Sequence, residues 1–594
     1  MGERTPPRDP WSVDGGRLRS ARWFAGEDLA GFLHRTSVHV EGISRASLRG
    51  RPVVGVCNSW SELVSCNLHF RGLADAVKRG ILRAGGLPLE FPTISLGENL
   101  MKPTTMLFRN LMSMDVEECI RAYPLDAVVL LGGCDKTVPA QLMGAASAGI
   151  PAIMATGGPA PVARFRGKML STGTDLWHYV EDLRSGRMTL EEFDELEGVA
   201  TRPCGHCNEM GTASSMTCVV EALGMCLPGT ATIPALDADR QLASEETGRR
   251  AVELAREGLR PAEILTAKAF DNAITLLAGI GGSTNVVLHL LALAGRVGVP
   301  LSLERFDELS RRTPLLVNVL PSGEHLVEDL HEAGGVPAVI RELKSLLHLD
   351  AVTVSGRTLG EELAGVSTSN RGVVSAVAKP LAPEGGIAVV RGSLAPDGAV
   401  IKRSAASAEL LRHRGPAVVF EDVYDVQNRI DDPALEVSPE SVLVLRNSGP
   451  KGGPGMPEWG QVPIPQKLLR AGVRDMVRVS DARMSGTAFG TVVLHVAPES
   501  AAGGPIALLE DGDPIVLSVE ERRLDIDLPA AELRRRAECL SPPEPKYIRG
   551  YGALFLSHVL QANEGCDFDF LRALPGIEAE TEPFGLLSGW IGGW

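Results

Sequence analysis

The feature that most restricts the fold is a strand-to-helix turn near residue 134. Ala127-Val128-Val129-Leu130-Leu131 is an unbroken apolar run. Gly132-Gly133-Cys134-Asp135-Lys136-Thr137 ends it, and Pro139 to Ala146 reads as the first turns of a helix. An apolar run of this kind is a strand buried on both faces, as in a parallel sheet covered by helices. The turn sets a thiol, a carboxylate and an amine side by side, at the sheet edge where open α/β folds bind ligands. Cysteine suits a soft metal and aspartate a hard one. Lysine is the side chain most readily re-tuned or modified. The turn therefore reads as serving two metal centres at once.

The same alternation recurs around it. Residues 18–40 read as a helical lead-in. Pro52 to Cys57 is a short strand, with Cys66-Asn67 just before a helix over 68–84. Leu87 to Ile94 is a second strand, ending at Ser95-Leu96-Gly97-Glu98-Asn99. Residues 104–122 carry apolar side chains at helical spacing, and Pro151 to Ala155 is a fourth strand. Strands alternating with helices at these lengths predict a mainly parallel sheet with helices on both faces. Cys66, Glu98 and the Cys134-Asp135-Lys136 turn then share one sheet edge. Further on, Pro203-Cys204-Gly205-His206-Cys207-Asn208 opens a helix rich in small residues.

Near residue 385 the texture changes. Residues 387–390, 417–420, 442–445, 492–495 and 514–517 are short apolar strands separated by turn residues. The fold class is thus α/β: a parallel α/β domain over 1–385, then a β-barrel-like domain over 386–594. Two glycine-rich loops interrupt the second part, Arg446 to Trp459 and Ser480 to Thr487. Loops of that composition inside a β domain often pack against a ligand.

Composition narrows the function. A formal net charge of −15 argues against a general nucleic-acid binder. No stretch approaches the ~18 uninterrupted apolar residues of a membrane span. The N-terminus lacks the apolar core of a signal peptide. These features place the protein in the cytoplasm, with its 10 cysteines reduced.

The ordinary role of a lone cytosolic cysteine is core filler, and Cys119, Cys218, Cys226 and Cys539 are read that way. Cys66, Cys134 and Cys207 differ, because each lies in a turn rich in Gly, Asn or Asp. Three separated thiolates can hold an iron–sulfur cluster and leave one iron open as a Lewis acid. Cys204 and Cys207 also form a C-x-x-C pair, which alone suits a redox pair or half a zinc site, though no second close-spaced pair completes the latter. Glu98, Asp135 and Glu458 lie in glycine-bounded turns, where a single carboxylate is ordinarily a cap. As a set, their oxygens suit Mg²⁺. Lys136 would repel a cation unless carbamylated, which replaces the ammonium with an anionic oxygen donor. Ser485 stands outside any G-x-S-x-G elbow and becomes a base only where a nearby metal lowers its pKa.

Taken together, these motifs resemble the dihydroxy-acid dehydratase/6-phosphogluconate dehydratase family over about residues 40–570. The matching stretches are Gly55 to Trp60 with Cys66-Asn67, Leu131 to Thr137, Cys204 to Asn208, Glu221 to Met225, Gly281 to Asn285, Ser448 to Gly455 and Asp481 to Gly486. Cys134 to Ala140 followed by Leu142 to Ser147, the Ser480 to Thr487 loop and the Tyr547 to Leu571 segment are similar to the sugar-acid branch, such as pentonate dehydratases. The branched-chain amino-acid enzymes usually carry Pro-Gly after the Cys-Asp-Lys stretch. The resemblance implies Cys66, Cys134 and Cys207 as cluster ligands, the cluster more often [2Fe–2S] than [4Fe–4S]. It implies Glu98, Asp135, carbamylated Lys136 and Glu458 as Mg²⁺ ligands, Ser485 as base and Thr487 as its partner. It also implies a homodimer or homotetramer acting on a small sugar acid, with no membrane or nucleic-acid partner. Two departures are Ser65, where proline is common, and the apolar tail ending Gly589-Trp590-Ile591-Gly592-Gly593-Trp594. The expected activity is dehydration of an aldonic acid to a 2-keto-3-deoxy acid. The alternatives are a dihydroxy-acid dehydratase, a non-catalytic iron–sulfur regulator and a C-x-x-C oxidoreductase, the last disfavoured by the lack of a thioredoxin-like context.

Overall fold

The computed structural model describes residues 12–13, 16–541 and 543–573. The apolar tail, and most of the Pro- and Arg-rich leader before Gly16, lie outside the described residues. The first sheet has four parallel strands: β1 (Val53–Asn58), β2 (Leu87–Pro92), β3 (Ala127–Gly132) and β4 (Ala152–Thr156). Their order is β2-β1-β3-β4, all parallel. Every residue of β1, β3 and β4 is buried, as their unbroken apolar sequences require. Helix Phe70–Arg83 buries Phe70, Leu73, Ala74, Val77 and Ile81, the spacing of one helical face. The expected lead-in helix is two pieces, Ala21–Phe24 and Leu29–His39. The break falls at Gly26, and Asp28 then caps the second piece by accepting from the Gly31 N–H.

The second sheet has eight strands: β5 (Ala388–Val390), β6 (Gly398–Ile401), β7 (Arg412–Phe420), β8 (Val442–Leu445), β9 (Arg478–Ser480), β10 (Val492–Ala497), β11 (Pro514–Ser518) and β12 (Arg523–Ile526). Their order is β12-β11-β7-β8-β9-β10-β6-β5. The central run β7-β8-β9-β10 is parallel and the outer pairs are antiparallel. A bridge from Arg391 to Arg523 joins the two ends of the sheet, which makes it a nearly closed barrel. Its interior is a separate core of Val, Ile, Leu and Ala side chains, including Val390, Ile401, Val444, Val479, Val493 and Leu524.

The late Tyr547 to Leu571 segment packs back on the first half. Arg296 is fully buried and grips Asp567 through Nε–Oδ2 at 2.6 Å and Nη2–Oδ1 at 3.0 Å. Arg109 donates to the Gly565 and Cys566 carbonyls, both at 2.9 Å. In Arg296→Met, Asp567 becomes a buried carboxylate stripped of its cation. The expected loss is about 3–5 kcal/mol of stability, read by urea unfolding. Arg296→Met combined with Asp567→Leu is expected to recover much of it. Among the described residues no helix is long and apolar enough to cross a membrane.

Candidate active site

The two sheets aim the carboxyl ends of their parallel strands at one place. β3 delivers Cys134, Asp135 and Lys136. The loop after β1 delivers Cys66, in a short turn Ser65–Asn67, and the loop after β2 delivers Glu98. From the second sheet, the loop after β8 carries Glu458 and the loop after β9 carries Ser485 and Thr487. Cys207 comes from the segment leading into helix Thr212–Ala222.

Glu98, Asp135 and Glu458 each place one carboxylate oxygen within 4.8 Å of the others. Lys136 is completely buried among them. Its Nζ lies 3.1 Å from Glu458 Oε1 and 3.5 Å from Glu98 Oε2, and it pairs with Asp135 Oδ2. Burial and Arg483 push the Lys136 ammonium down, yet the three carboxylates outweigh them and its pKa is raised. Burial works against the ionised Glu98, but Lys136 and Arg483 hold its carboxyl down at about 2. Burial raises Asp135, with Lys136 opposing and Glu98 and Glu458 adding to it. An all-oxygen donor set closing on one point fits a hard divalent cation, and the ammonium stands in that place here.

Cys134 is buried beside Cys66. The hydrogen bond between the two thiols, followed by burial, holds the Cys134 thiol well above the ordinary thiol range. Burial does the same to Cys207, with Glu209 and Cys66 adding to it. Cys66 thus lies beside Cys134 and near enough to Cys207 to act on its thiol, and all three are free. A soft cation is what would turn such buried thiols into thiolates, so the set fits an iron–sulfur group. Among the other cysteines, Cys218 and Cys226 are buried core residues as expected. Cys539 is not: it is exposed, because it caps the end of helix Ala530–Glu538, which buries none of its own residues. Cys119 is only partly buried.

Ser485 Oγ lies 2.9 Å from Thr487 Oγ1. Thr487 Oγ1 also accepts from Trp177 Nε1 at 3.2 Å, and the Thr487 carbonyl accepts from Thr174 Oγ1 at 2.8 Å. A Cβ on Gly211 would lie 2.9 Å from Thr487 Cγ2 and 3.7 Å from Cys207 Cβ, so the bare glycine lets the serine loop approach the cysteine segment. Asn285 links the serine loop to the carboxylates. Its Nδ2 donates to Glu458 Oε1 at 3.0 Å and to the Met484 carbonyl at 3.1 Å.

Several of these residues escaped the sequence reading. Arg483 is fully buried and donates from Nη1 to Glu458 Oε1 at 2.9 Å, from Nε to the Met456 carbonyl at 2.7 Å and from Nη2 to Thr104 Oγ1 at 3.0 Å. It fixes Glu458 and balances part of the acidic charge. A permanent cation between Ala482 and Met484, in a loop of small residues, was the available signal. Asn285 lay inside a recognised motif but carried no sign of its partner. Trp177, from helix Thr174–Ser185, had no local signal at all.

Comparison with known proteins agrees with this architecture. The family model for the dihydroxy-acid/6-phosphogluconate dehydratase N-terminal domain matches residues 51–362, and that for the C-terminal domain matches residues 372–566. The chain belongs to this dehydratase family, and it is a hydro-lyase. It is 50% identical over 574 residues to an L-arabonate dehydratase of Azospirillum brasilense, covering 95% of this chain and 98% of that one. It is 45% identical over 569 residues to a 6-deoxy-6-sulfo-D-gluconate dehydratase of Pseudomonas putida, covering 95% and 98%. With a dihydroxy-acid dehydratase of Moorella thermoacetica the identity is 40% over 531 residues, covering 88% and 95%.

Proposed function

We propose that this protein dehydrates an aldonic acid, a pentonate first among them, to the corresponding 2-keto-3-deoxy acid. One observation carries the chemistry. A serine hydroxyl, a carboxylate triad and three thiols adjoin, joined through Asn285 and the adjacent Cys134 and Asp135. The higher identity to two sugar-acid dehydratases than to the branched-acid enzyme supports the substrate class.

In this reading Glu98, Asp135, Glu458 and Lys136, the last as its carbamate, hold Mg²⁺, while Cys66, Cys134 and Cys207 hold an iron–sulfur cluster, [2Fe–2S] before [4Fe–4S]. When bound, these groups supply Lewis acidity to the substrate's carboxylate and hydroxyl oxygens. Ser485 Oγ takes the proton from C2. Thr487 Oγ1, held by Trp177, donates to the serine oxygen as it gains charge. The electron pair of the C2–H bond forms the C2–C3 double bond, the C3–O bond breaks, and the hydroxyl leaves as water with the proton that Ser485 Oγ, acting as alkoxide, took from C2. The enol then tautomerises to the 2-keto acid. Arg483 keeps Glu458 aimed at the triad throughout.

The test is keto-acid formation by anaerobically purified protein with iron and Mg²⁺ verified in place. C5 and C6 aldonates are compared with 2,3-dihydroxy-3-methylbutanoate. Turnover of aldonates is expected, with the branched acid poor or inert. Preference for the branched acid would move the protein to the dihydroxy-acid dehydratase reading. Turnover of neither would favour a non-catalytic iron–sulfur regulator.

A further inference from the structure

Lys402 follows β6 and is fully buried, yet it is remote from the carboxylate triad in sequence and absent from the reaction scheme above. The one hydrogen bond of its side chain among the described residues runs from Nζ to the carbonyl oxygen of Gly486, at 3.4 Å. That carbonyl belongs to the peptide group joining Gly486 to Thr487. The N–H of the same peptide, on Thr487, donates to Ser485 Oγ at 3.4 Å. One rigid, planar amide thus has a lysine on its oxygen and the reacting hydroxyl on its nitrogen. Hydrogen bonds at the two ends of an amide reinforce each other, because a donor on the oxygen draws charge from the nitrogen and sharpens the N–H.

The amide has little freedom to turn away. A Cβ on Gly486 would lie 2.5 Å from the Thr212 nitrogen and 2.7 Å from Ser283 Oγ, so the loop backbone is pressed against helix Thr212–Ala222. The charged group facing Lys402 is Glu209, buried at the approach to that helix. Burial pushes the Lys402 ammonium down to about 7, with Glu209 pulling it back up. An amine donates in either charge state, so the contact to Gly486 persists across neutral pH. A methionine would fill a similar volume with no charge to desolvate, which makes a lysine here costly unless the contact is used.

We propose that Lys402 is a positioning residue for dehydration, acting through the Gly486–Thr487 peptide to strengthen the N–H that faces the Ser485 oxygen as it becomes an alkoxide. This rests on the reading of Ser485 as the base.

The test compares Lys402→Met, Lys402→Gln and Ser485→Ala, each with iron and Mg²⁺ content matched to the parent. Steady-state kinetics use the best aldonate and its C2-deuterated form. Removing an oxyanion donor outright typically costs about 10²–10³ in kcat, and weakening one through its peptide costs less. Lys402→Met is expected to lose about 10- to 50-fold in kcat, with KM within about twofold and a larger C2-deuterium isotope effect. Lys402→Gln keeps a neutral donor and is expected to recover part of kcat. It also carries the test if Lys402→Met does not fold. In metal-free protein, amide exchange at Thr487 is expected to be faster in Lys402→Met than in Lys402→Gln. Parental kcat and isotope effect in Lys402→Met, with Ser485→Ala inactive, would overturn this role while leaving the base in place. Equal losses in both lysine variants, tracking a lower melting temperature with an unchanged isotope effect, would also overturn it. An active Ser485→Ala would instead remove the base reading itself.

Discussion

In Ser485→Ala, kcat is expected to fall by about 10³- to 10⁴-fold, with KM close to that of the parent protein. The upper range for losing a positioned general base applies here, because no other described side chain is set to take over. Thr487 is a poor substitute, since its hydroxyl already accepts from Trp177 and belongs to a residue whose carbonyl is fixed by Thr174. KM should hold because the serine contributes little to ground-state binding, and an interaction made only in the transition state shows itself in kcat. Single-turnover measurements with C2-deuterated substrate give the sharpest check. Wash-in of solvent deuterium at C2 should disappear along with turnover. A variant retaining more than about a tenth of parental kcat would require another base.

The second large effect is expected at Lys136. In Lys136→Met three carboxylates face one another without the ammonium that lies among them. At the effective dielectric of a protein, two charges at that separation repel by about 3 kcal/mol. Removing one partner of a buried ion cluster typically costs about 3–5 kcal/mol. The metal-free variant should therefore unfold at lower denaturant than the parent, and activity should be lost. Added Mg²⁺ should return stability to the variant, by about 2.7 kcal/mol at one hundred times the dissociation constant. It should return little activity, since the lysine-derived ligand is gone. If Mg²⁺ fails to stabilise Lys136→Met, the cation does not bind where the ammonium stands.

Much of the N-terminal fold was legible because β1, β3 and β4 are buried on both faces. Their sequences carry no alternation to misread, and Asn58-Ser59, Gly132-Gly133 and Gly157-Gly158 mark where they stop. The barrel was visible as texture, but its strand order was not. β7 pairs with β8 on one side and with β11 on the other, and those strands are separated by the two glycine-rich loops and the intervening strands. Nothing local encodes such a pairing. The candidate site divides in the same way. Residues in turns of unusual composition, such as Cys134, Asp135 and Glu458, stood out. Arg483, Asn285 and Lys402 did not, because what marks them is the partner each meets across the fold. The lead-in is helical as read, but Gly26 and the Asp28 cap divide it into two pieces. Cys539 failed because core filler is an average habit, and a solvated surface helix is where the average does not hold.

The division of the site between the two sheets also sets an order of events during synthesis. A ribosome releases Cys66, Cys134 and Cys207 well before it reaches the barrel, together with the helices that bury them. The thiol cluster is therefore complete in a nascent chain that still lacks Glu458, Arg483 and Ser485. The oxygen triad closes only when the last third of the chain has been made and has docked. On the proposed ligand assignment, the two donor sets are thus completed at different stages of synthesis. A chain stalled between them would carry its three thiols without the barrel loops that pack against their segments, such as Thr487 against Gly211.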